Sequence, residues 1–457
     1  MRLSNKGLED KAPWEKAGIL LPQFDRRAMI EATKASPRWV HFGAGNIFRA
    51  FPAALQQSLL EQGIEKTGII VAEGYDGEII DRAFLPWDNL SLLVTLKADG
   101  GIEKKVIASV AQALRLDQAE DYALLREIFS APSLQMVSFT ITEKGYSLRD
   151  RRGDLLPDVA ADMRDGPGAP QSYLGRLAGL CYERYIRGAL PLALVSMDNC
   201  SHNGDKLFGG LEPFAVRWAE KGLAEKGFTD YIRDPGRVSF PWSMIDKITP
   251  RPDEGVRQIL ESLGFTDTQG QVTAKNTYIA PFVNAEEAQY LVIEDAFPAG
   301  RPSLEKAGVL FTGRDTVDRV EKMKVCTCLN PLHTSLAIFG CLLGFTKISA
   351  EMKDRDLVRL IEIIGYNEGL PVVVDPGILS PKQFIDQVLQ VRFPNPFMPD
   401  TPQRIATDTS QKIPIRFGET IKAYLADPAR DVGDLKLIPL VLAAWLRYLL
   451  GVDDTGA

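Results

Sequence analysis

Through the first two thirds of the chain, apolar residues gather in short runs separated by longer amphipathic stretches, the pattern of strands alternating with helices. The first run, Arg38-Trp-Val-His-Phe, meets a turn with two glycines, Gly43-Ala-Gly45, and then the helical pattern Asn46-Ile47-Phe48-Arg49 followed by AALQQSLLEQ. A second run, Gly68 to Ala72, ends in Glu73 about thirty residues after the first begins, which completes a βαβ unit. Further strands are predicted at Leu92 to Leu96, Val106 to Val110, Gln135 to Ile141 and Leu192 to Met197, interleaved with helices such as AEDYALLREIF and YLGRLAGLCYERY. That alternation predicts an α/β fold whose sheet is mainly parallel. Beyond about residue 310 the period changes to that of helices: LHTSLAIFGCLLGF, DLVRLIEIIGYNEG, PKQFIDQVLQ, GETIKAYLAD and LIPLVLAAWLRYLL. We therefore expect a Rossmann-like domain over 1–305 and an all-helical domain over 306–457, connected through Ala296 to Pro302, where Pro and Gly interrupt both periods.

Composition narrows the function classes. The chain of 457 residues carries a formal charge of −7 without a long basic run, which argues against sequence-independent binding to nucleic acid. Five cysteines form no C-x-x-C pair, and their odd number argues against a disulfide framework and for a reducing compartment. Cys326 and Cys328, with only three histidines in the chain, read as buried packing and predict no metal. The polar N-terminus lacks the apolar core of a signal peptide, and no run is expected to span a bilayer. A cytoplasmic protein acting on a small molecule is the expectation.

Several segments bear chemistry. In a dinucleotide turn the first glycine permits the bend and the second lets backbone N–H groups approach a pyrophosphate, roles that suit Gly43 and Gly45, although Phe48 stands where a third glycine is usual. Glu73 is placed to accept hydrogen bonds from an adenosine ribose, favouring NAD over NADP; Asp76 can do the same or belong to the turn Gly74 to Gly77. Ser196-Met-Asp198-Asn199 closes a predicted strand, where α/β sheets bind ligands, and equally reads as a turn with a helix cap. Phe240-Pro-Trp-Ser-Met-Ile-Asp246-Lys-Ile-Thr-Pro250 reads as a proline-bounded loop. Lys324, Asn330 and His333 precede a long apolar helix: a lysine whose pKa is lowered by burial can deprotonate a hydroxyl, and an asparagine can polarise the carbonyl that forms. Taken alone, Asn330 also reads as a helix cap and His333 as a packed histidine.

Taken together and in order, HFGAGNIFRAF, TITEKGY, SMDNCSHNGDKL, FPWSMIDKITP, YLVIEDAFPAGRP and the Lys…LN-x-x-H segment resemble the polyol-specific long-chain dehydrogenases, the mannitol dehydrogenase and mannonate oxidoreductase family. The resemblance implies metal-independent hydride transfer between NAD(P) and a secondary alcohol of an open-chain sugar derivative. It further implies Lys324 as general base, Asn199 and Asn330 as the pair that binds the reacting oxygen, and His333 as the residue that orients substrate or lysine. It makes Gly43, Gly45, Asn46, Ile47, Phe48, Arg49, Glu73 and Asp76 the cofactor-binding set, and Asp246, Arg404 and Lys412 substrate-binding. Two departures stand out: Lys324 to Asn330 is six positions where the family has five, and Pro331 replaces a glycine. Six helical steps of about 100° would leave Lys324 off the face of Asn330, so a break or bulge is expected between them, with Lys322 as the fallback base. The stretch Asp408 to Arg416 resembles the hexuronate branch, where Arg404 or Lys412 would grip a carboxylate. D-mannonate and D-fructuronate are therefore expected ahead of mannitol and fructose, with tagaturonate, another polyol or a non-catalytic dinucleotide sensor as alternatives.

Overall fold

The computed structural model describes residues 1–266 and 268–452. It divides into two compact units, one formed by Met1–Thr95, Glu103–Ala285 and Gln289–Arg314, the other by Leu96–Ile102, Glu286–Ala288 and Asp315–Ala457.

The first unit is built on a parallel sheet of six strands, β1 (Trp39–Phe42), β2 (Ile69–Glu73), β3 (Val110–Arg115), β4 (Met136–Phe139), β5 (Leu192–Ser196) and β6 (Val238–Ser239). Their order across the sheet is β3-β2-β1-β4-β5-β6, the doubly wound dinucleotide-binding arrangement. β1, β2, β4 and β5 are buried throughout, as strands covered on both faces must be, which explains their continuous apolar runs. Among their buried polar residues is His41, whose ring nitrogens lie 2.6 Å from Ser138 Oγ and 2.9 Å from Thr140 Oγ1, and whose ring stacks on Phe48. Burial pushes its pKa down to about 3.

Three expectations are corrected in this unit. The strand read at Val106 to Val110 is the junction of two strands, Ile102–Ile107 and β3, because Ala108 N–H donates to Gln57 Oε1 and Ser109 Oγ donates to Ala53 O, taking the chain from one sheet into another. The expected loop around Asp246 contains a strand, β7 (Ser243–Asp246), since pairing with β8 (Tyr290–Glu294) overrides its flanking prolines. The stretch Ala296 to Pro302 is not the connection: Ala296 O accepts from Ser239 Oγ, Phe297 packs edge-on against Phe311, and β9 (Leu310–Thr312) returns to pair in parallel with β8. By compactness the first unit runs to Arg314.

The second unit is helical around α1 (Asn330–Leu342), whose buried face includes Leu332, Leu336, Ala337 and Ile338. Helix Arg314–Met323 leads into α1 through a π-helical segment, Lys324–Cys328. The continuous stretch Arg314–Leu342 holds an 18-residue segment long and apolar enough to cross a membrane by length and composition, contrary to the expectation that no run would qualify; 67% of that segment is buried, so its apolar face serves the core of the unit. Leu437–Tyr448 and Pro402–Ile405 pack on α1.

Candidate active site

In the first unit, four of the singled-out segments end on the carboxyl edge of the sheet. Gly43 has φ +104°, and a Cβ there would lie 2.3 Å from Thr140 O, so glycine is required where β1 turns against the end of β4. Gly45 differs: a Cβ would meet nothing within 4 Å, leaving its backbone open to a ligand at the point where the strand order reverses. Helix Asn46–Ala50 follows it directly.

The remaining predicted cofactor residues divide by what they touch. Glu73 is buried and accepts hydrogen bonds from the backbone N–H groups of Ala44, Tyr75 and Asp76, at 2.9, 2.8 and 3.0 Å, so it braces the glycine turn and the turn after β2 together. Asp76 Oδ2 accepts from Thr273 Oγ1 and Thr277 Oγ1 and belongs to that turn's anchorage. Phe48 is fully buried between His41 and Phe84. Arg49 is buried as well, donating to Ala280 O and Asn46 Oδ1, and Ile47 packs beside the core. Beside Glu73, the Tyr173 hydroxyl is shielded from water with no hydrogen-bond partner, and its ring lies where a Cβ at Gly74 would collide. An open glycine cradle, an anchoring carboxylate and an orphaned hydroxyl at the switch point suit a dinucleotide.

Asn199 is exposed just past β5, and its loop is fixed by neighbours that the sequence placed far apart. Asp198 accepts from the N–H groups of Ile141 and Thr142 and from Tyr146 Oη, which ties the TITEKGY segment to the end of β5. Burial raises the pKa of Asp198 despite these donors, and burial with Asp198 beside it raises that of Tyr146. Asn203 Nδ2 donates to the carbonyls of Ser196, Asp198 and Ser243, while its Oδ1 accepts from Ser243 N–H. Asp246 is buried at the end of β7, opposite Tyr290.

In the second unit, Lys324 opens the π-helical segment and is 3% exposed. The wide turn closes with Leu329 N–H donating to Lys324 O at 3.1 Å, a five-residue reach, after which His333 N–H returns to Leu329 O and α1 is regular. This is the irregularity expected from the six-position spacing: one extra residue is absorbed without displacing α1. Lys322, the fallback base, lies on the outer face with its side chain 55% exposed, and Asp318 at 2.7 Å holds its ammonium pKa up. His333 Nε2 is shielded, lacks a hydrogen-bond partner and stands 3.6 Å from Asp400. Its ring stacks on Phe393. Desolvation pushes its pKa down to about 4, against the pull of Asp400 and assisted by Arg392, Arg416 and Arg404.

The two predicted carboxylate grips differ in what they touch. Arg404 pairs with Asp400 and its side chain is 65% exposed; Lys412 donates to Thr407 O. Sequence reasoning gave no role to Arg416, the last residue of the hexuronate-like stretch, which donates to Thr334 Oγ1. The available signal was its i+4 spacing from Lys412, which puts both cations on one face of helix Thr409–Arg416.

Sequence profiles for the mannitol dehydrogenase Rossmann domain and the mannitol dehydrogenase C-terminal domain match residues 37–306 and 316–457. The chain belongs to the mannitol dehydrogenase family. It is 55% identical to a D-mannonate oxidoreductase of Thermotoga maritima, over all of this chain and 85% of that protein. It is 30% identical to a mannitol 2-dehydrogenase of Cereibacter sphaeroides over 96% of this chain and 85% of that one. Among solved structures, a substrate-free D-sorbitol dehydrogenase superposes with a TM-score of 0.84 at 25% identity, covering 100% of this chain and 87% of that one. The Pseudomonas fluorescens mannitol 2-dehydrogenase, in a ternary complex with NAD and D-mannitol, gives 0.74 at 28% identity, covering 100% and 86%. In family terms, the Rossmann profile coincides with the parallel sheet and the C-terminal profile with the helical unit.

Proposed function

We propose that this chain is an NAD-dependent oxidoreductase that interconverts D-mannonate and D-fructuronate in the cytoplasm. The observation that carries the reading is 55% identity along the entire chain to a D-mannonate oxidoreductase, against about 30% to enzymes named for neutral polyols. The choice of NAD rests on the family, on the NAD complex of the mannitol 2-dehydrogenase, and on Glu73, whose negative charge at the end of β2 disfavours a 2′-phosphate.

The chemistry follows from the residues. Lys324 takes the hydroxyl proton of the secondary alcohol, and Asn330 donates to the oxygen as it becomes a carbonyl. Asn199 has the same role by family resemblance. His333, neutral above about pH 4, offers Nε2 to a substrate hydroxyl while Phe393 and Asp400 hold its ring. Bound NAD supplies the hydride acceptor. In reduction the Lys324 ammonium returns the proton.

Initial rates of NADH and NADPH oxidation with D-fructuronate, D-tagaturonate and D-fructose test this reading. Fructuronate with NADH is expected to give the highest kcat/KM; a preference for fructose would replace the reading with a mannitol-type activity. Lys324→Ala is expected to lower kcat by at least about a hundredfold while leaving NADH binding intact, and Lys322→Ala to change it little. The reverse order would move the base to Lys322.

A further inference from the structure

We infer that Arg416 is the residue that binds the substrate's carboxylate and so selects sugar acids over neutral polyols. The inference rests on the function proposed above and adds the residue that discriminates the substrate class.

The second unit brings Arg392, Arg404 and Arg416 within electrostatic reach of His333, with Lys412 beside Arg416, and two of these four cations are paired with carboxylates. Arg392 is buried and pairs with Glu286 through two hydrogen bonds, at 3.1 and 2.8 Å. Arg404 is held by Asp400 and faces solvent. Lys412 donates to the Thr407 carbonyl. Arg416 differs from the two paired arginines: it is half-buried, and its hydrogen bond goes to the neutral hydroxyl of Thr334, with no carboxylate at ion-pair distance among the described residues. A guanidinium held out of water without a counter-ion is costly, and an arriving anion recovers that cost. Only one of its five donors is occupied by Thr334, which leaves the planar fork that a carboxylate fits with two bonds.

The position is also suited to the reaction. Thr334 Oγ1 donates to Asn330 O at 2.8 Å while accepting from Arg416, so the guanidinium is tethered one helical turn from the asparagine assigned to the reacting oxygen. It lies close enough to His333 to depress that imidazole's pKa. An open-chain hexonate has its carboxylate on C1, a few bond lengths from the carbon that exchanges hydride. Recognition of both ends by one turn of α1 and its tethered arginine matches that short separation. Lys412 lies one turn away from Arg416 on the same helix and adds positive potential to the site.

The test compares wild type with Arg416→Gln and Arg416→Lys, using Lys422→Gln on the exposed face of helix Gly418–Ala426 as a control. With D-fructuronate as substrate, Arg416→Gln is expected to raise KM about 30- to 100-fold, with kcat on D-fructose and KM for NADH unchanged; Arg416→Lys recovers part of the loss, and Lys422→Gln leaves KM unchanged. Calorimetric titration of D-mannonate into the cofactor-free protein gives a readout that requires no turnover. Binding by wild type that weakens by the same factor in Arg416→Gln supports the assignment. Equal binding by the two proteins, absence of binding by wild type, or a loss that falls equally on fructuronate and fructose overturns it. A wild type that binds mannonate but reduces only neutral ketoses would overturn the proposed reaction and leave the carboxylate site standing.

Discussion

Replacing Glu351 by methionine should stabilise the protein, and more so as pH rises. Glu351 is fully buried beneath α1, and both of its carboxylate oxygens lack hydrogen-bond partners. One of them lies against Gly340, where a Cβ would come within 2.2 Å of it. Desolvation raises its pKa from 4.5 to about 9. The folded protein therefore keeps a proton that the unfolded chain releases above pH 4.5. The contribution is present in full below that value and is lost as pH rises toward 9, at up to about 1.4 kcal/mol per unit. At pH 7.5, three units above the unfolded value, the idealised cost is about 4 kcal/mol; relaxation and water entry reduce such penalties, which gives about 2–4 kcal/mol. Methionine has a similar length and no group to desolvate. For a unit of this size the gain corresponds to a rise in Tm of about 5–12 °C. Scanning calorimetry of wild type and Glu351→Met at pH 5, 7 and 9 reads it: the two Tm values should converge at pH 5 and separate steadily to pH 9. A separation that is constant across pH, or a lower Tm for the variant at pH 9, would refute the argument, because either result means that Glu351 ionises inside the folded protein without penalty.

Two further outcomes follow from buried groups. Arg184 donates to five backbone carbonyls, those of Phe129, Ala131, Leu134, Leu190 and Pro191. Arg184→Met orphans them and should cost at least about 4 kcal/mol in urea denaturation, with Arg184→Lys in between; a loss under about 1 kcal/mol would show that water replaces the guanidinium. His41 and His333 are both depressed below 6.5, to about 3 and about 4, so the stability they carry is present above pH 6.5 and lost as pH falls through the range to those values. Thermal melts from pH 7 to pH 5 should show a falling Tm whose slope diminishes in His41→Gln, and an unchanged slope would mean that His41 titrates normally.

Much of the first unit was legible in local pattern. The runs WVHF, IIVAE, MVSF and LALVS are apolar without alternation because parallel strands are covered on both faces, and the G-A-G turn is written in residues that only a tight bend and a close approach require. The irregular helix at Lys324 was legible too, since a six-position spacing before Pro331 conflicts with a regular helix. Strand identity at 243–246 and the break at 108–109 were not, because pairing with Tyr290–Ile293 and the acceptors Gln57 Oε1 and Ala53 O come from distant parts of the chain.

The sequence by itself thus determined which residue types stand at the ends of strands and before the long helix, because propensity, period and turn chemistry act over a few residues. Which of those residues are spent on holding the fold was a tertiary decision. Glu73 faces three backbone donors, Asp76 two threonines and Arg404 an aspartate, whereas Arg416 meets only a hydroxyl. A charged side chain is available to a ligand only if no buried partner has claimed it, and partners are chosen by packing between segments that the linear chain does not bring together.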